Sequence, residues 1–160
     1  KIRCYYDKIH MYDVALNENE KYCESKTYTA GTKIKSFKLP WGKLGLTICY
    51  DLRFPNLYRK LSKQGSIFLA VPSAFTETTG KRHWHSLLKA RAIENFCYIF
   101  APAQAGKHYN GRKTFGNSLI VSPDGKILKS LNKKEGVITA SIDPSLPKKL
   151  RSIIPSLKKD

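Results

Sequence analysis

The middle of the chain alternates short apolar runs with amphipathic stretches, and that alternation lays out a fold. Ile34 to Leu39 mixes apolar and polar side chains as a half-buried strand does, and Pro40 to Lys43 turns the chain back. Leu44 to Ile48 is an apolar, partly β-branched run that reads as a buried strand, so the two segments form a hairpin. Asp51 to Pro55 cannot continue that strand. Asn56 to Gln64 has helical spacing, with Leu57, Tyr58 and Leu61 on one face and Gly65 as the stop. Ser66 to Val71 is a second apolar strand, followed by a polar loop from Pro72 to Gly80. His83 to Asn95 is a helix whose buried stripe is Trp84, Leu87, Leu88 and Ala92, with Lys89 facing out. Phe96 to Ala101 is a third apolar strand, closed by Pro102. Strand, helix, strand in this order is a βαβ signature and predicts an α/β fold, with ligands at the carboxyl ends of the strands.

The flanking regions carry weaker patterns. Tyr6, Lys8 and His10 share one face of an extended segment, and residues 14–33 are polar and loop-like. Ala103 to Phe115 reads as a Gly- and Lys-rich loop containing His108, Arg112 and Thr114. Gly116 to Val121 and Lys126 to Leu128 flank the hairpin turn Pro123-Asp124-Gly125. Gly136 to Ile142 is expected to be a further strand. The tail from Asp143 to Asp160, with three prolines and a Lys-rich end, is expected to dock elsewhere rather than to build core.

Composition narrows the classes. A chain of 160 residues, 41% hydrophobic and 26% charged, fits one globular domain with a substantial core. No apolar run is long enough to span a bilayer, and residues 1–20 show no signal-peptide pattern. The four cysteines, Cys4, Cys23, Cys49 and Cys97, lack C-x-x-C spacing, which points to reduced thiols and a cytoplasmic setting. The net charge of +17 is scattered from Lys1 to Lys159 without a basic stripe or a nucleic-acid-binding motif. It predicts nonspecific stickiness and no specific nucleic-acid partner.

The candidate chemistry centres on Cys49. A cysteine at a strand-to-helix turn presents its sulfur at the open end of a sheet, beside backbone N–H groups able to hold an oxyanion. The alternative is an ordinary buried core thiol. Lys8 facing inward beside His10 is unusual for a core, although a solvated basic strand has the same pattern. His83 and His85 cannot meet one metal from a single helix face, and H-E-x-x-H is absent, so no metal site is expected.

Taken together, these segments resemble the nitrilase, or carbon–nitrogen hydrolase, superfamily. Cys-Tyr-Asp-Leu-Arg-Phe-Pro at 49–55 resembles its nucleophile motif, and Lys8-Ile9-His10 with Asp13 resembles its lysine motif. Pro72 to Thr76, Thr79-Gly80, His83-Trp84, Leu87 to Asn95 and Ala101 to Gly106 resemble the later motifs in order. The subgroup resembled most is the deaminated-glutathione amidase type, which also occurs fused to Fhit domains. The resemblance implies a nitrilase-like α-β-β-α sandwich and a cofactor-independent thiol amidase acting on small carboxylate-bearing amides. It implies that Cys49 forms a thioester as ammonia leaves, and that Lys8 and the backbone N–H of Tyr50 hold the oxyanion. Glu24 would orient the lysine, while Arg53, Phe75 and Thr79 would line the substrate pocket.

Departures from the family pattern carry expectations too. The family's general-base glutamate stands well before the lysine motif, whereas only seven residues precede Lys8 here and none is Glu. Residues 1–160 are therefore expected to be the C-terminal portion of a carbon–nitrogen hydrolase domain, incomplete at its N-terminus and impaired in catalysis. A complementing N-terminal fragment or a homo-oligomer would be its partner. The other readings are a catalytically inactive interaction protein of the same fold and a nonspecific nucleic-acid binder. Asp7, His85 and Asn117 stand where Arg, Glu and His are usual; Asp7 is the one expected to disturb Lys8.

Overall fold

The computed structural model describes residues 1–18, 20–109 and 111–159. Residues 19, 110 and 160, which fall in segments read as loops and tail, lie outside them. The apolar runs assemble into one six-stranded mixed sheet. The expected hairpin is present as β3 (Lys35–Leu39) and β4 (Gly42–Leu46), paired antiparallel. Helix α1 (Pro55–Lys63) returns the chain to β5 (Ser66–Ala70), and α2 (Glu77–Asn95) leads to β6 (Tyr98–Ala101). β4, β5 and β6 run parallel, which makes two successive βαβ units. β9 (Ser118–Val121) joins β6 antiparallel, and β10 (Ile127–Leu131) folds back on β9 through the Gly125 turn. Across the sheet the order is β10-β9-β6-β5-β4-β3.

Period-2 alternation in the parallel strands divides the core. Leu69, Ile99 and Val121 are fully buried with Leu61, Trp84 and Leu88 of the two helices. Phe68, Tyr98 and Phe100 cluster with ring centroids 6.0–6.1 Å apart. The described residues thus supply one sheet layer with α1 and α2 against it.

The structure corrects several boundaries. α2 starts at Glu77, not His83, because Thr76 caps it: the Thr79 N–H donates to Thr76 Oγ1. The polar run Thr76 to Gly80 hides this start from the hydrophobic pattern. Gly80 is admitted to the first turn because a Cβ there would lie 2.4 Å from Phe115, where helix and hairpin meet. The polar stretch 14–33 contains a small hairpin, β1 (Asp13–Ala15) with β2 (Lys21–Cys23), and a 3-10 turn at Glu24–Lys26. The loop 103–115 holds another, β7 (Ala105–Lys107) with β8 (Lys113–Phe115). Strands of three residues are too short for a period to show. Gly136 to Ile142 keeps its alternation but is not a strand, since no ladder to another described segment forms. The tail docks as expected, as helix α3 (Leu146–Ile153), with Arg151 donating to the carbonyls of Ser66 and Asn95. Among the described residues no helix is long and apolar enough to cross a membrane, and all four cysteines are free.

Candidate active site

The sheet ladder runs on past the named strands and places the candidate nucleophile. Thr47 N–H donates to the Ala70 carbonyl at 3.2 Å, Cys49 N–H to Pro72 at 2.9 Å and Ser73 N–H to Pro102 at 2.9 Å. The chain ends after β4, β5 and β6 therefore lie side by side. There the chain turns sharply: Cys49 has φ +49°, the left-handed region that few non-glycine residues adopt, and opens a 3-10 turn over Cys49–Arg53. Tyr50 is second in that turn, where helical geometry gives its N–H no carbonyl within the turn to pair with. Above these ends lies a cavity of about 800 Å³. Lys8, Glu24, Cys49, Tyr50, Arg53, Phe75 and Thr79 all line it, so the seven positions to which the resemblance gives catalytic or substrate-binding roles share one cavity.

Lys8 is anchored from two directions. Its side chain is 10% exposed and its ammonium is ion-paired with Glu24 Oε2, which also accepts from the Tyr12 N–H at 2.6 Å. Its carbonyl accepts from the Gly31 N–H at 2.8 Å; the glycine allows this approach, since a Cβ there would stand 2.2 Å from the Asp7 carbonyl oxygen. Asp7 itself is exposed, and Lys8 pairs with Glu24 instead, so the expected disturbance does not occur. Burial pushes the Cys49 thiol above its ordinary range; a backbone hydrogen bond from Ala74 and the charges of Lys8 and Arg112 pull the other way without overcoming it. The resting sulfur is a protonated thiol beside fixed positive charge.

Arg53 lies with its guanidinium 5.9 Å from the Tyr50 ring centroid and 5.4 Å from that of Phe75. Burial and the charge of Arg53 keep His83 below its ordinary range, so its neutral Nδ1 accepts from Arg53 Nη1 at 3.2 Å. Phe75 is wedged against Trp84, and Thr79 sits in the first turn of α2, whose N-terminal dipole end faces the cavity. His85 packs edge-on against Phe115, and Asn117 accepts the Trp84 indole N–H on its carbonyl; both are packing positions.

Sequence reasoning missed two residues of the site's frame. Arg112 lines the cavity, lies 5.2 Å from the Tyr22 ring and donates to the Ala74 carbonyl at 2.5 Å. Asp51, read as a strand terminator, is a fully buried carboxylate directly behind the nucleophile turn. The signal for Asp51 was a charged residue inside an otherwise apolar segment; for Arg112 no local pattern exists. Among the described residues no cluster of three or more His, Cys, Asp or Glu side chains lies together to hold a metal.

Comparison with known proteins agrees with this geometry. The carbon-nitrogen hydrolase family profile matches residues 1–152. The deaminated glutathione amidase of Synechocystis is 49% identical over 155 residues, covering 96% of this chain and 57% of that protein. Its human counterpart of the same name is 40% identical over 151 residues, 94% of this chain and 46% of that protein. Among solved structures, the C. elegans NitFhit protein superposes with a TM-score of 0.85 at 38% identity, over 97% of this chain and 38% of that one. The chain spans about half the length of the curated relatives it matches.

Proposed function

The chain belongs to the carbon–nitrogen hydrolase family, and from that premise we propose that its cavity carries a thiol amidase site for small carboxylate-bearing amides. The observation that carries the reading is the convergence of a strained-turn cysteine and a clamped, nearly buried lysine on one cavity. Cys49 sulfur attacks the amide carbonyl. The carbonyl oxygen becomes an oxyanion, and the Lys8 ammonium and the Tyr50 N–H are the donors for it. The C–N bond then breaks, ammonia or an amine departs with a proton, and water hydrolyses the thioester to release the acid and restore the thiol. Arg53, held over Tyr50 and Phe75, offers its guanidinium fork to the substrate carboxylate.

Proton transfer marks the limit of what residues 1–160 supply. The neutral thiol needs an acceptor, and Glu24 is the single acidic side chain lining the cavity among the described residues. Both Lys8 and the Tyr12 N–H already occupy it. We propose that this stretch acts fully only when a further carboxylate, from outside residues 1–160, reaches the cavity. Without a base, the rate is lower by about 10²–10⁴-fold.

The test is ammonia release from a primary ω-amide of a small dicarboxylic acid. Cys49→Ala should abolish turnover, and Lys8→Met should lower kcat about 10²–10³-fold, the scale of a lost oxyanion donor. Full turnover in Cys49→Ala would sink the proposal.

A further inference from the structure

We propose that the buried carboxylate of Asp51 is a positioning residue that locks the Lys8 segment and the Cys49 turn into one register. The inference rests on the amidase reading above. Asp51 stands two residues after Cys49 and is fully buried. Its Oδ2 accepts from the Ile48 N–H at 2.9 Å, immediately before the nucleophile, and from the Tyr6 hydroxyl at 2.8 Å. Its Oδ1 accepts from the His10 N–H at 3.1 Å and from His10 Nδ1 at 2.7 Å. A carboxylate accepts only, so Nδ1 is the protonated ring nitrogen.

Tyr6 and His10 stand two residues to either side of Lys8. Both flanks of the lysine are therefore tied to the group that caps the nucleophile's turn. Two further contacts stiffen the joint. The Tyr6 oxygen also receives the Ile9 N–H at 3.3 Å, and the His10 ring stacks on Phe54 with centroids 3.5 Å apart. None of Asp51, Tyr6 or His10 lines the cavity, so their effect on chemistry passes through Lys8 and Cys49.

A carboxylate suits this position because four donors converge on it. Asparagine would offer one oxygen and turn two N–H groups toward donors, leaving at least two of the four unpaired in a buried site. The same carboxylate fixes the separation between ammonium and sulfur, the quantity on which oxyanion stabilisation depends. A misplacement of about 1 Å is enough to cost about 10²-fold in rate.

The experiment compares wild type, Asp51→Asn, Tyr6→Phe and the double variant in the full chain. Steady-state kcat is divided by the folded fraction of each variant under the assay conditions, read from its urea unfolding curve. A role in folding alone lowers the folded fraction and leaves kcat per folded molecule unchanged. The positioning role predicts a fall of about 100-fold in Asp51→Asn and about tenfold in Tyr6→Phe, with KM within about threefold of wild type. Tyr6→Phe should add almost nothing in the Asp51→Asn background, because one clasp is broken once. If Asp51→Asn does not fold, Tyr6→Phe decides by the same ratio. Unchanged kcat per folded molecule in the variants, alongside Cys49-dependent wild-type turnover, overturns the positioning role alone. Turnover that survives Cys49→Ala overturns the amidase reading and this inference with it.

Discussion

At position 49 burial and neighbouring positive charge act on one thiol in opposite directions. Burial dominates, so Cys49 sits above the ordinary thiol range, and Lys8 and Arg112 only moderate it. Alkylation of Cys49 by iodoacetamide should accordingly rise with pH through a midpoint above about 8.5, the value of a free thiol. Lys8 favours the thiolate, so Lys8→Met should move that midpoint further up. A midpoint below that of free cysteine, or no change in Lys8→Met, would contradict this electrostatic account. The family resemblance put Lys8, Glu24, Cys49, Tyr50, Arg53, Phe75 and Thr79 forward from the sequence, and all seven line the cavity. Arg112 was not legible there, since the β7–β8 hairpin that delivers it has strands of three residues and no period to read.

At the scale of elements, α2 joins the core to the cavity. Its C-terminal half packs under the sheet through Leu88 and Ala92, while its first turn presents Thr79 to the cavity wall. The apolar stripe from Trp84 onward showed where the helix packs, but the start at Glu77 depends on a cap that no hydrophobic pattern reports. Thr76→Ala should destabilise the protein by about 1 kcal/mol, seen as a shift of the urea midpoint. It should also raise KM more than it lowers kcat, because the frayed turn carries a cavity wall rather than the reacting groups. An unchanged midpoint would mean that Thr76 contributes no cap. The β3–β4 hairpin and the two βαβ units were legible from periodicity, whereas Gly136 to Ile142 shows its limit: alternation describes a face, and a strand also needs a neighbour.

Across the whole molecule, buried phenols and thiols set the response to alkali. Burial raises Tyr58, Tyr6, Tyr98, Cys49 and Cys97 above their ordinary values. For each, the unfolded chain loses its proton first. Stability is therefore fully present below the ordinary thiol and phenol values and is lost as pH rises through and beyond about 8.5–10. Urea midpoints should stand highest near about pH 7.5 and fall clearly by about pH 10.5; no fall on the alkaline side would show that these groups are reached by water.

The central claim is that Cys49 becomes covalently acylated, and the most direct measurement is the mass of the Cys49 peptide after a brief reaction with a carboxylate-bearing amide and an acid quench. The account predicts an acyl adduct equal to the substrate minus its amine, carried on Cys49 alone and lost on treatment with hydroxylamine. Turnover without any adduct on Cys49, or with the adduct on another residue, would contradict it.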